Sequence, residues 1–314
     1  MIATLTTLLR NEGACSAGIA FAGKVDDIAW NLFTDWLKQG KHAGMSYMEN
    51  HLELRRDPRL LLPGCRSVIS AAFNYRQPNP LRGIATYALG LDYHHVLRQR
   101  LERVVAKLGA DFGGEYRICI DSAPILERYW AEKAGVGVRS PLSGNVTVPG
   151  VGSMVFLAEV LTTHEFDAEE CGRPLLSSVK YTPLCSCLDN RRICPTDALG
   201  AGGVVDARKC INYLTIEHRG EWSDEQKKLM NTPGADSAVF GCDICQNADP
   251  ANSGEAPDII PEFQFNEKLE TFISTLRHPR NPESLSRSVK GFSLKKSPLG
   301  RAGRKTLLRN LEKH

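Results

Sequence analysis

Six of the ten cysteines in this 314-residue chain fall within one stretch: Cys185, Cys187, Cys194, Cys210, Cys242 and Cys245. Thiols at short, ligand-like spacing in a chain this long point to a metal centre, whereas disulfide frameworks belong to small secreted domains. Cys194-Pro195-Thr196 carries the Cys-Pro pair that closes a C-x₂-C-x₂-C-x₃-C-P run. In such a run three thiolates hold one 4Fe-4S cluster and the fourth crosses to a second. With Cys194 closing the run, the earlier slots fall on Leu184, Cys187 and Asn190. A second run, Cys242-Asp243-Ile244-Cys245, has Asp249-Pro250 at its closing position and Cys210 upstream. Sorted by cluster, Cys194, Cys210, Cys242 and Cys245 make one complete set, while the other set is Leu184, Cys187, Asn190 and Asp249. The losses all fall on one side, so the spacing predicts a chain that keeps one 4Fe-4S cluster and has shed its neighbour. Four thiols with a C-x₂-C arm also suit zinc, and Cys171, Cys185 and Asp249 are possible rescue ligands for a second cluster. Both alternatives stay open at this level.

The rest of the chain must frame that centre. Its composition, 42% hydrophobic and 24% charged, is that of a globular protein. The first residues lack a basic leader followed by an apolar run, and no uninterrupted apolar segment reaches membrane-spanning length. A cytoplasmic location, with no membrane partner, is therefore expected. The net charge is only +3, but the C-terminal end is strongly basic, with Arg277, Lys290, Lys295, Lys296, Arg301, Arg304, Lys305 and Arg309 against Glu283 and Glu312. Such a stretch suits either a polyanionic partner or a solvated terminal helix.

Residues 1 to 40 read as helical, with apolar positions at Leu5, Leu8, Leu9, Ile28, Trp30, Phe33 and Leu37. Val68 to Tyr75, Tyr116 to Ile120 and Gly152 to Leu161 read as strands. Val96, Leu97, Leu101, Val104 and Leu108 recur at helical spacing, and the Asp57-Pro58 step should break a helix begun near His51. This alternation predicts an α+β or α/β layered core. Asp121-Ser122-Ala123-Pro124 follows the second strand, and on position alone Asp121 reads as a helix cap.

Together these segments resemble the epoxyqueuosine reductase family. The resemblance runs through Arg55-Arg56-Asp57-Pro58, Tyr87-Ala88-Leu89-Gly90-Leu91-Asp92-Tyr93-His94, Asp121-Ser122-Ala123-Pro124-Ile125-Leu126-Glu127-Arg128, Gly152-Ser153, Cys194-Pro195-Thr196, the sharpest stretch from Cys210 to Gly220, Phe240-Gly241-Cys242 and Lys290-Gly291-Phe292-Ser293-Leu294. It implies an α+β fold with a nitroreductase-like cobalamin-binding core at 1–170, a ferredoxin-like iron–sulfur unit at 171–260 and a basic segment at 261–314. It also implies that electrons from an unidentified donor pass through iron–sulfur and cobalamin to epoxyqueuosine in a tRNA anticodon stem-loop.

By the same resemblance Asp121 is the proton donor, a task that suits a carboxyl whose pKa burial has raised above neutral. Arg55, Asp92, Tyr93, His94 and Ser153 are expected to line the cofactor or substrate pocket. Lys295, Lys296, Arg301, Arg304, Lys305 and Arg309 are expected to meet tRNA, and Tyr75 and Tyr213 either stack on a base or pack in the core. Three features depart from the family pattern: the incomplete cysteine set, Leu91 where an arginine is common, and Val138-Arg139-Ser140-Pro141-Leu142-Ser143-Gly144-Asn145 in place of a Trp-Ile-Gly-Lys-Asn-like run. A repurposed homologue with a structural metal, and a cobalamin-dependent reductase of another substrate, are the competing readings.

Overall fold

The computed structural model describes residues 1–176, 193–255, 258–277 and 292–312. Its centre is a four-stranded antiparallel sheet, β1 (Ser16–Phe21), β2 (Ser67–Asn74), β3 (Tyr116–Cys119) and β6 (Val155–Thr162), in the order β1-β2-β6-β3. The wholly antiparallel pairing decides for α+β over α/β. All eight residues of β2 are buried because helices cover both faces. On one face α1 (Ile2–Asn11) and α4 (Tyr93–Phe112) press Leu5, Leu9, Leu97 and Leu101 against Ile19, Ile69 and Val160. On the other, Trp30 of α2 (Asp27–Lys38) and Trp130 of α5 (Glu127–Lys133) pack on Val68, Ala72 and Leu161.

Three strands fall where the apolar runs predict them. The helical expectation for residues 1 to 40 fails at β1. A strand buried on both faces loses the polar alternation that would reveal it, and its small residues fit a helix equally well. The structure needs that smallness, since a β-carbon on Gly18 would overlap the carbonyl of Ala134. Asp57 does end α3 (Leu52–Arg56), and its carboxyl accepts the Arg59 N–H of the short turn that follows. A small hairpin of β4 (Val138–Arg139) and β5 (Val146–Thr147) precedes β6.

The cysteine-bearing stretch folds around α6 (Ile211–Ile216), α7 (Asp224–Met230) and α8 (Ile244–Asn247), with Leu214, Trp222 and Met230 at its heart. The last two α-helices among the described residues, α9 (Glu267–Arg277) and α10 (Gly303–Glu312), form no separate appendage. Leu269, Ile273, Leu299 and Leu307 share one apolar cluster with Ile84 and Leu89 of the sheet domain and with Ile216 and Phe240 of the cysteine stretch. Among the described residues, no helix is long and apolar enough to cross a membrane. Replacing Gly18 by Ala is expected to destabilise the fold by about 1–3 kcal/mol, because the strand cannot retreat from the Ala134 carbonyl; urea unfolding followed by circular dichroism checks it.

Candidate active site and cysteine centre

His94 stands between two carboxyl groups. Asp92 caps α4 by accepting the His94 N–H at 3.0 Å, and the same oxygen meets His94 Nδ1 at 2.8 Å. Nε2 of the ring lies 3.0 Å from Asp121 Oδ2. Tyr93 stacks on the His94 ring on one side and on Phe156 of the sheet core on the other, which fixes the imidazole plane. The Asp121 and His94 side chains are 58% and 37% exposed, so the pair forms the floor of an open face while its back is packed.

The electrostatics reverse one expectation. Burial is the strongest influence on His94 and lowers its pKa, but the hydrogen bonds and charges of Asp121 and Asp92 outweigh it and hold the ring up at about 9. Burial likewise would raise Asp121, yet His94, helped by the Tyr93 hydroxyl and the charge of Arg301, holds its carboxyl below the usual range. At neutral pH the proton therefore sits on His94 and Asp121 is ionised, opposite to the raised Asp121 pKa expected from sequence. The neighbouring Glu127 goes the other way. Burial first, and the Asp121 charge second, raise it to about 8.

Of the other residues expected at the pocket, Asp92, Tyr93 and His94 are brought together with Asp121, and two are not. Arg55 is buried beneath the site and donates to the backbone carbonyls of Tyr47 and Asn50 at 3.0 and 3.2 Å. Ser153 is buried as a clasp: its N–H donates to Asn252 Oδ1 at 2.8 Å and its hydroxyl accepts from Asn252 Nδ2 at 2.9 Å. Tyr75 and Tyr213 are core residues, the first bonded to Gln246 Nε2 at 3.2 Å and the second accepting the Gly44 N–H at 2.9 Å.

The basic end divides in the same way. Lys295, Lys296 and Lys305 are exposed and Arg304 half-buried. Asp92 donates its N–H to the Lys296 carbonyl at 3.0 Å, which ties the backbone at Lys296 to the start of α4. Arg301 is exposed but held by Glu217 in a two-pronged ion pair and lies over the Tyr47 ring. Arg309 leaves the set, because it is buried, covers Trp222 and donates to the carbonyls of Leu214, His218 and Gly220. Glu127, Tyr47 and Glu217 were not singled out from sequence. Glu127 lay in plain view within the Asp121 to Arg128 motif.

Cys194, Cys210, Cys242 and Cys245 converge. Beyond the dominant effect of burial, Cys210 is raised by the charge of Cys194, Cys242 by those of Cys210 and Cys245, and Cys245 by those of Cys210 and Cys194. That mutual influence places the four side chains in one neighbourhood. The loop is docked by Asp243, whose carboxyl accepts the Thr86 N–H at 2.6 Å. At the second set, Asp249 is buried, accepting from the Ser140 hydroxyl at 2.9 Å and from the Ala251 N–H at 3.0 Å. Leu184, Cys185, Cys187 and Asn190 lie outside the described residues, and Cys171 packs against the sheet core.

The raised pKa of His94 favours the His94–Asp121 contact fully below the ordinary imidazole range and loses that effect as pH rises through about 9. The lowered pKa of Asp121 favours it above the ordinary carboxylate range and loses that effect as pH falls. Asp121→Asn should therefore move the His94 titration, followed by NMR, from about 9 toward the ordinary imidazole value of about 6.5.

Residues 55–122 match the family model described as Epoxyqueuosine reductase QueG, DUF1730, and residues 185–252 match that of a 4Fe-4S double cluster binding domain. The epoxyqueuosine reductase of Leadbetterella byssophila is 36% identical over 88% of this chain and 86% of its own length. The epoxyqueuosine reductase of Bacillus subtilis, seen with its catalytic aspartate loop swung out of the active site, superposes with a TM-score of 0.77 at 27% identity, over 98% of this chain and 79% of that one. An epoxyqueuosine reductase solved with a tRNA-Tyr epoxyqueuosine-modified stem loop shares the fold at a TM-score of 0.80 and 24% identity, over the same shares of the two chains. With a relative this similar over most of both chains, the chain belongs to the epoxyqueuosine reductase family.

Proposed function

We propose that this chain reduces epoxyqueuosine to queuosine in the anticodon loop of tRNA, with His94 and Asp121 managing the proton delivered to the departing oxygen. The overall change breaks both C–O bonds of the epoxide, restores a carbon–carbon double bond and releases the oxygen as water. It takes up two electrons and two protons. The observation that carries the reading is the His94–Asp121 pair at 3.0 Å on an open face. As the oxygen gains negative charge, Asp121 transmits the proton held on His94, and Asp92 keeps the imidazole aimed. This route does not need Asp121 to store a proton at rest, so its lowered pKa is compatible with donation.

Cobalamin, when bound, would supply a strongly reducing cobalt centre at the substrate carbon. The partly exposed Asp121 and His94, with Tyr93 stacked on the imidazole and Asp92 holding it, would line its pocket.

Four thiols at Cys194, Cys210, Cys242 and Cys245 would hold one 4Fe-4S cluster. Against a second cluster stands Asp249, whose carboxyl is committed to Ser140 and Ala251. The exposed Lys295, Lys296 and Lys305 with Arg304 would meet the phosphates of the stem-loop, since the Lys296 backbone adjoins Asp92.

Anaerobic protein reconstituted with iron, sulfide and cobalamin, given a strong reductant and epoxyqueuosine-containing tRNA, should yield a nucleoside lighter by one oxygen. Asp121→Asn should slow that conversion about 10²–10⁴-fold; unchanged turnover would remove Asp121 from the chemistry. The reconstituted chain should carry about four irons, and about eight would overturn the single-cluster reading.

A further inference from the structure

Glu127 opens α5 directly beneath the Asp121 loop, and the acid–base scheme above leaves it without a task. Its Oε1 accepts the backbone N–H of Asp121. Asp121 itself has φ +46°, a left-handed conformation uncommon outside glycine although aspartate tolerates it better than most residues. The other ties within 120–126 are local. The Ser122 hydroxyl turns back to the Ile120 carbonyl at 3.2 Å, the Ile125 N–H meets the Ala123 carbonyl at 2.8 Å, and buried Ile125 anchors the far end. Three contacts thus bear on the direction of Asp121: His94 and the Tyr93 hydroxyl on its side chain and Glu127 on its backbone.

We infer that Glu127 is a positioning residue, a latch that holds the Asp121 backbone in its left-handed turn so that the carboxyl faces His94. The inference rests on Asp121 being the acid–base residue. The groups that act on Glu127 are Asp121, Arg128 and His94, with Arg55, Tyr93, Cys119 and Glu159 around them. Glu159, buried on β6 and held by the Ser70 hydroxyl at 3.0 Å, is kept neutral by burial, so it adds no charge.

Burial and the Asp121 carboxylate raise Glu127 to about 8. A neutral carboxyl can accept the N–H without repelling the carboxylate it positions. Because the pKa is raised in the latched state, the stabilisation is complete below the ordinary carboxylate range and is lost as pH rises through about 8.

Amide hydrogen exchange of the loop in the full purified chain tests this without substrate or cobalamin. Glu127→Gln keeps an oxygen acceptor and should protect the Asp121 amide as the wild type does at neutral pH. After correction for intrinsic rates, it should lose that protection only with the His94 transition at about 9, whereas the wild type loosens earlier, as pH rises through about 8. Glu127→Ala should raise loop exchange about ten-fold, with β3 and the body of α5 unchanged. In turnover, Glu127→Ala should lower kcat with little change in KM, and Glu127→Gln should restore it. Equal loop exchange in wild type and Glu127→Ala overturns the latch, as does a Glu127→Gln chain that behaves like Glu127→Ala. If Glu127→Ala unfolds, the pH response of wild type against Glu127→Gln decides alone. Failure of the proposed reaction would appear as absent nucleoside conversion with the exchange pattern intact, so the two failures are distinguishable.

Discussion

A single carboxylate, Asp92, joins the parts of this molecule that must act together. It caps α4, the long helix against the sheet, and with the same oxygen it orients His94. Its own N–H is held by the Lys296 carbonyl from the basic end of the chain. Burial alone would raise its pKa, but the bonds from His94 keep it below the ordinary range, so it stays ionised beside a protonated imidazole. A histidine flanked by two carboxylates retains its proton well past neutrality, which is why Asp121 can remain charged at rest and still have a proton within reach.

A second constraint ties the cysteine centre to this site. Gln246 follows Cys245 and reaches Tyr75 on the sheet side, Ser153 closes on Asn252, and Asp243 between the two C-terminal thiols bonds to the backbone of Thr86. Adjacent to Thr86, Tyr87 packs against both Tyr93, which stacks on His94, and Phe240, two residues before Cys242. Buried polar groups of this kind are costly unless every partner is present. The clasp therefore fixes the separation between the thiols and the acid–base pair more tightly than apolar packing alone would.

Much of this was legible from the chain. The four converging thiols follow from spacing, α4 from its apolar period, and β2, β3 and β6 from short apolar runs. What was not legible has identifiable causes. β1 is hidden by burial on both faces. Ser153 and Arg55 stand in motifs beside reactive residues, but a motif does not distinguish a group that faces a cleft from one that bonds to the backbone behind it. Arg309 looks like its basic neighbours because charge composition says nothing about which guanidinium is buried under a helix. The direction of the Asp121 shift depends on a histidine 27 positions away, and only the fold supplies that proximity.

Ser140 and Asp249 show how two departures from the family pattern amount to one physical change. Ser140 belongs to the run that differs after the glycine turn, and Asp249 stands where a closing cysteine would be. In the structure their side chains meet at 2.9 Å, both buried. A thiol in that slot would need a metal and no hydroxyl partner. A buried carboxyl needs donors, and without one it would carry a penalty of about 1–3 kcal/mol or more. Ser140 supplies that donor from the loop between β4 and β5. The carboxyl is thereby integrated into the fold, with its oxygens spent on Ser140 and the Ala251 N–H. Restoring a cysteine at 249 alone would leave the Ser140 hydroxyl buried without its acceptor, so the slot resists reversion one residue at a time.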